Sequence, residues 1–246
     1  MLNRKDALKT VVKFTTIINV NKTENGINKI VKMYSVGTGF FMCRENNNNK
    51  IYIITAAHVA KLFNNSTYVE MMGQNNNVIT KDLSFLQNGK NIVNHSTADL
   101  CAIEIDYNIL KSLNIDVNIF NTSLIDTNKI INLSRDVELT TIGFPRGLGV
   151  SSRFEPLTFR SYSASNIINN VSGLDGGYSS DIFVLENPAC GGYSGGPVLD
   201  LGHIVSSGII QSSKTVFYGV MHGTISDDTG GKMAVVTPAS YILQII

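Results

Sequence analysis

The strongest constraint on the fold is a succession of short segments rich in Val, Ile, Thr, Phe and Tyr, each bounded by Asn, Gly or charged residues. In the first half they occupy 11–20, 30–43, 51–55, 68–72, 78–84 and 100–105. In the second half they occupy 137–144, 157–163, 182–185, 197–200, 204–211, 216–221 and 233–236. β-Branched and aromatic side chains pack well on a pleated surface and lose rotamer freedom in a helix, so these runs are expected to be strands. Many short strands with turn punctuation predict an all-β barrel or sandwich. The Asn runs at 46–49 and 75–77 are expected to be solvated turns. Helical signals are few: 3–9, 55–62, 108–113 and 238–246, the last with Thr237 as N-cap and Pro238 at the first helical position. The stretch 111–133 lacks strong strand character and is expected to connect two β-units. No internal repeat is visible.

Composition narrows the function classes. The chain has 246 residues, 43% apolar and 16% charged, which is ample material for a packed core in one large domain or two small ones. A formal net charge of +1 gives no electrostatic case for a nucleic-acid partner. No apolar run reaches the ~18 residues of a membrane span, and Lys9 and Lys13 interrupt the N-terminal segment, so neither a membrane anchor nor a secretory leader is expected. The three cysteines, Cys43, Cys101 and Cys190, are too few and too scattered for a disulfide framework or a zinc site. Cys43 and Cys101 are expected to be buried in strands and Cys190 to be a free thiol. A reducing compartment follows: a soluble intracellular protein, or one packaged in a virion or other particle. The abundance of Asn, Ile and Lys suits an AT-rich genome such as that of a large virus or a protist.

Three segments carry chemistry. Ile53-Ile54-Thr55-Ala56-Ala57-His58 runs a buried-type strand into two small residues and a histidine. Thr97-Ala98-Asp99-Leu100 opens an apolar strand with an aspartate. Cys190-Gly191-Gly192-Tyr193-Ser194-Gly195-Gly196-Pro197-Val198 surrounds one serine with four glycines, whose backbone freedom lets successive N–H groups face one concavity. Taken singly, each has an ordinary reading: a core histidine, a turn aspartate, a glycine-rich turn. Together they run His, Asp, Ser, roughly forty and then roughly ninety-five residues apart. A Gly-x-Ser-x-Gly nucleophile elbow of an α/β-hydrolase is the competing reading, with His203 or His222 as its late histidine. It requires a helix after the serine, whereas Pro197-Val198-Leu199 continues as strand.

These segments resemble the chymotrypsin-like (trypsin-like) serine peptidases, and more closely their disulfide-poor bacterial and viral members. Gly37-Thr38-Gly39-Phe40-Phe41 looks like the strand before the family's histidine. The segment from Asp136 to Pro145 looks like the opening strand of its second barrel, and Met233 to Pro238 like its last strand and turn. The resemblance implies two six-stranded antiparallel β-barrels with a short C-terminal helix. It implies an N-terminal helical extension at 1–10, a first barrel at 11–110, a connection at 111–133, and a second barrel with closing helix at 134–246. Ser194 would be the nucleophile, His58 its base and Asp99 the group that orients the imidazole, with Gly192 and Ser194 N–H groups as oxyanion donors. The substrate would be a polypeptide, with no metal or cofactor and with regulation left to a protein partner or a particle. A catalytically silent binding module on the same fold is the alternative.

The resemblance also has departures. Tyr193 stands where digestive relatives carry the aspartate that receives a new N-terminus, so no activation by N-terminal trimming is expected. The S1 pocket would be built from Pro188, Ala189, Cys190, His222, Gly223 and Thr224, which excludes a Lys or Arg preference. Relatives that cut after Glu or Gln bind that side chain with a histidine on this strand. His222 comes one residue later, and a one-residue shift reverses the face of a strand. His222 is therefore either a substrate ligand or a structural histidine beside the triad. His95 is expected to be a loop residue near Asp99.

Overall fold

The computed structural model describes residues 3–24, 27–173, 177–206, 209–226, 228–229 and 232–246. The first half forms strands β1 (Val11–Glu24), β2 (Ile27–Arg44), β3 (Asn47–Thr55), β4 (Thr67–Met72), β5 (Val78–Asp82), β6 (Ile92–Asn94), β7 (Cys101–Ile105) and β8 (Phe120–Asn121). They make one sheet in the order β5-β4-β1-β2-β3-β7-β6, with β8 added in parallel to β2. The second half contributes β9 (Leu139–Gly143), β10 (Leu157–Ser161), β11 (Ile168–Val171), β12 (Ser180–Leu185), β13 (Pro197–Asp200), β14 (His203–Ser206), β15 (Ile209–Ser212), β16 (Val216–Ser226) and β17 (Lys232–Pro238). Seven of these form a second sheet, β10-β9-β13-β16-β17-β12-β11, and β14 pairs with β15 alone. Short helices α1 (Arg4–Leu8), α2 (Ala57–Ala60), α3 (Leu83–Gln87), α4 (Tyr107–Ser112) and α5 (Thr127–Ile131) punctuate the strands. Among the described residues no helix is long and apolar enough to cross a membrane.

The all-β expectation holds, in sheets of eight and seven strands where six each were expected. The extra strands come from segments too short or too polar to announce themselves. β6, β8 and β11 have two to four residues, and β8 lies in the stretch expected to be a bare connection. Segment 204–211, taken as one strand, is split between β14 and β15, with Ser207 and Gly208 outside the described residues. Segment 78–84 ends as strand at Asp82, where α3 begins. Asn47–Asn49 belong to β3 rather than to a turn, because cross-strand pairing with β2 continues into them after the two-residue turn at Glu45 and Asn46. The closing helix is a 3-10 helix over Ala239–Gln244, shorter than 238–246, because Pro238 is still the last residue of β17.

The two sheets share one core. Phe40 on β2, Phe120 on β8 and Phe217 on β16 stack with ring centroids 5.1–5.8 Å apart, each almost fully buried. Edge-on aromatic packing of this kind adds to the area term of ~1.5–3 kcal/mol for each buried side chain. The first sheet has its own apolar cluster around Phe14, Ile51, Ile53 and Leu86. β2 thus faces both cores, and its Gly37-Thr38-Gly39 stretch lies against the second sheet's glycine loop.

Candidate active site

His58 is the second residue of α2, a helix that follows directly from β3. Its N-cap is Ala56, whose side chain cannot satisfy the orphaned amides of the first turn. Asp99 does so from across the sheet: the His58 backbone N–H donates to Asp99 Oδ1 at 2.8 Å. The His58 ring adds a second bond, Nδ1 to Asp99 Oδ2 at 2.6 Å. Ala56 and Ala57 are fully buried, and larger side chains there would push this helix off the sheet. The Asp99 side chain is 1% exposed and that of His58 is 28% exposed, so one end of the pair is sealed and the other is open.

The loop carrying Asp99 is wound around His95. His95 Nδ1 accepts from the backbone N–H groups of Thr97 and Ala98, and its Nε2 meets Gln244 Oε1 at 3.0 Å. A nitrogen that accepts two N–H bonds carries no proton, so His95 is the Nε2–H tautomer and donates to Gln244. His95 is a loop residue as expected, and its work is to anchor the Asp99 loop to the C-terminal turn.

The glycine loop is held from β2. The Thr38 N–H donates to Ser194 O at 2.9 Å, and its hydroxyl donates to Gly192 O at 2.6 Å. The Arg146 N–H donates to Gly191 O at 2.7 Å. Because a peptide is planar and trans, fixing the Gly191 carbonyl toward Arg146 turns the Gly192 N–H the opposite way. Among the described residues the Gly192 and Ser194 N–H groups have no acceptor. Gly192 has φ +103°, and a Cβ there would collide with Phe144 O and Arg146 N. Gly195, at φ +85°, would collide with Thr38 O and Thr55 Oγ1. Only glycine fits either place. Tyr193 is buried against Phe159 and Gly143, and burial, aided by nearby Cys190, pushes its hydroxyl up to about 12.

Ser194 and His58 line one pocket of about 220 Å³, together with Ala189, Cys190, Gly191, Met221, His222, Gly223 and Thr224. The expected S1 residues therefore gather here, except Pro188, which is exposed and outside the lining because the chain turns inward only at Ala189. The Thr224 hydroxyl donates to Ala189 O at 2.9 Å and ties the two walls together. Cys190 is a free, exposed thiol, whereas Cys43 and Cys101 are buried. Burial, with Asp99's charge behind it, pushes the Cys101 thiol up to about 12.

His222 departs from the strand-alternation expectation. The β16–β17 register shifts between Met221 and Gly223, which makes His222 the extra residue of a β-bulge. Bulges re-aim side chains beside active sites. Here the ring is turned so that Nδ1 lies 2.6 Å from Asp99 Oδ2 while the side chain also borders the pocket. The ring is 4% exposed, and its Nδ1 makes no hydrogen bond of good geometry despite the short approach. Burial by itself would raise the Asp99 carboxyl. The contacts with His222 and then His58 outweigh that and hold it at about 2.

His58, Asp99 and His222 are also the one cluster of three metal-type donors among the described residues, with donor atoms within 4.8 Å of one another. Tetrahedral ligands at ~2.0–2.2 Å from a zinc stand roughly 3.3 Å apart. Both nitrogens lie 2.6 Å from the same oxygen, the spacing of a protonated contact rather than of two ligands around an ion.

Ser194 leads into β13 and not into a helix, which removes the hydrolase-elbow alternative. Thr38 and Arg146, which hold the glycine loop, carried no chemical signal in the sequence, because their contributions are a backbone amide and one hydroxyl supplied over long sequence distances.

The chain is similar in structure to the MamO protease domain from Magnetospirillum magneticum in its apo form, at 12% identity and a TM-score of 0.57 over 97% of this chain and 96% of that one. It is also similar to the Rv3671c protease of M. tuberculosis, at 16% identity. The inactive form matches with a TM-score of 0.55 over 97% of this chain and 88% of that one, and the active form with 0.53 over 97% and 80%. At these identities the likeness carries the fold alone. No match was found among curated protein sequences. A family model described as the trypsin-like peptidase domain matches residues 37–205, well over half of the chain and including His58, Asp99 and Ser194. The chain belongs to the trypsin-like peptidase domain family.

Proposed function

We propose that this protein is a serine endopeptidase that cuts peptide bonds through an acyl-enzyme on Ser194. The observation that carries the proposal is the doubly hydrogen-bonded His58–Asp99 pair, open on one side to the pocket that Ser194 lines. A neutral imidazole has one proton, and the 2.6 Å contact with a carboxylate keeps it on Nδ1. The Nε2 lone pair is then free to take the Ser194 hydroxyl proton as Oγ attacks the substrate carbonyl. The carbonyl oxygen gains charge as the C–O bond to Ser194 forms, and the outward Gly192 and Ser194 N–H groups stabilise it. The imidazolium returns its proton to the leaving amine. Water, deprotonated by the same imidazole, then releases the acid and restores Ser194.

Within this reading, residues 11–110 supply the base and its partner, 134–246 supply the nucleophile, and 111–133 connects the two units. No acidic side chain lines the S1 pocket among the described residues, which favours Glu or Gln held by His222, or a small or apolar side chain, over Lys and Arg. None of the three cysteines is in a disulfide, which suits a reducing compartment. Incubation with a fluorophosphonate tests the proposal: stoichiometric labelling that peptide mapping locates at Ser194 is expected, and an unlabelled protein would favour the silent binding module. Gly192→Ala is expected to lower kcat for peptide hydrolysis by about 100-fold or more with KM little changed, because its Cβ displaces the loop and the oxyanion loses a donor. Steady-state kinetics on any cleaved peptide would read the split between the two constants.

A further inference from the structure

Asp99 Oδ2 has two imidazoles on it. His58 Nδ1 and His222 Nδ1 each lie 2.6 Å from this one atom, and the two rings meet edge to face with centroids 5.5 Å apart. The base–carboxylate pair of the proposed mechanism accounts for His58 alone. His222 is almost fully buried, sits at the bulge in β16 that brings it to Asp99, and borders the pocket.

We propose that His222 is a positioning residue that shares Asp99 with His58, so that the site takes up protons as two coupled imidazoles on one carboxylate. This inference rests on the peptidase reading. Two lone pairs cannot face each other at 2.6 Å, so neutral His222, like neutral His58, carries its proton on Nδ1. In that state it helps to hold the carboxylate in place under His58 and leaves its own Nε2 without a proton. When His222 takes a second proton it neutralises Asp99 and opposes the positive charge that His58 must acquire during catalysis. Two imidazolium ions against one carboxylate leave a net positive charge in a buried place. The first protonation therefore suppresses the second, and either one disables the base. Among the described residues, the other titratable groups beside the pair are Cys190, which borders the pocket at the start of the glycine loop, and Cys101, at the head of β7 two residues after Asp99. Neither brings a positive charge to the pair.

The test uses fluorophosphonate labelling of Ser194, which needs no knowledge of the substrate, measured as a second-order rate from pH 5 to 9. Gln at 222 keeps a donor for Asp99 and cannot be protonated. His222→Gln is expected to move the acidic limb of labelling to lower pH by roughly 0.3 units, the gain from removing one of two comparable protonations. His222→Ala removes the donor and leaves Asp99's charge to His58 alone. It is expected to move the acidic limb the other way, by about one unit, and to lower the plateau rate by about threefold, less than a well-aligned charged hydrogen bond is worth, because the short Nδ1 contact is poorly aligned. A histidine that merely filled space would give the same limb in both variants, and that result would overturn the proposal. Nitrogen-15 NMR of the histidine-labelled wild type gives a second reading that needs neither a variant nor activity. Protonated Nδ1 and bare Nε2 are expected at both His58 and His222 at neutral pH. A His222 protonated on Nε2 instead would refute the sharing even if Ser194 never labels, whereas absence of labelling in every form counts against the peptidase reading alone.

Discussion

Replacing Ser194 with alanine is expected to lower kcat for peptide hydrolysis by about a millionfold, with KM almost unchanged. In the proposed mechanism the substitution removes the atom that forms the covalent intermediate, and His58 then has no proton to take. What remains is the stabilisation that the loop amides and substrate binding give to direct attack by water, ~10³–10⁴-fold over the uncatalysed reaction. The structure predicts that this variant folds normally. Ser194 is held by its backbone, through the Thr38 N–H bond to its carbonyl and the neighbouring Gly195 N–H bond to Met221 O, and both survive in alanine. Thermal unfolding should shift by no more than ~0.5 kcal/mol. Kinetics on a cleaved peptide, with a melting curve on the same sample, would check both halves. Retention of more than a thousandth of wild-type kcat would mean that another group is the nucleophile.

Asp99→Asn is expected to lower kcat by about 10⁴-fold at neutral pH. A carboxylate only accepts hydrogen bonds, so it keeps the His58 proton on Nδ1. An amide at this place turns an N–H toward the ring, moves the proton to Nε2 and removes the base. The charge is lost as well, and with it the stabilisation of the imidazolium. Here the effect reaches two rings, because His222 leans on the same oxygen.

The same residue contributes to stability. Its folded value, about 2, lies below the ordinary 3.8. The carboxylate form is thus favoured by the native state, and the contribution is fully present above about pH 4 and is lost as the pH falls through about 2. The difference is worth about 2 kcal/mol for a group this buried. Urea unfolding of the wild type and Asp99→Asn at pH 7, 4 and 2 should show a gap that closes over the lower step. A gap independent of pH would mean that the carboxylate's charge is not what stabilises the native state.

Local chemistry carried much of this protein. Runs of Val, Ile, Phe and Thr between Asn and Gly punctuation are strands because side-chain crowding and pleated packing are decided within a few residues, and the long strands appeared where such runs were dense. The His58, Asp99 and Ser194 segments were legible for a related reason: a buried strand that stops at a histidine, and a serine among glycines, are costly patterns with few uses. The short strands β6, β8 and β11 were not legible, since two to four residues acquire strand character only from the partner that bonds them.

The sequence by itself determined the strand-rich class, the order of the three chemical residues and the glycine positions at 192 and 195 that no other residue can occupy. Tertiary structure alone decided how those residues are brought to one place. The capping of the His58 helix by Asp99, the turning of the Gly192 amide by Arg146, and the hold of Thr38 on the loop all join atoms far apart in the chain. The place of His222 depends on a bulge in β16, and one extra residue there reverses the face that strict alternation assigns. Periodicity reports what a residue does to its neighbours in sequence. Register, bulges and long-range hydrogen bonds are set by the competition of whole sheets for their partners, which no single segment encodes.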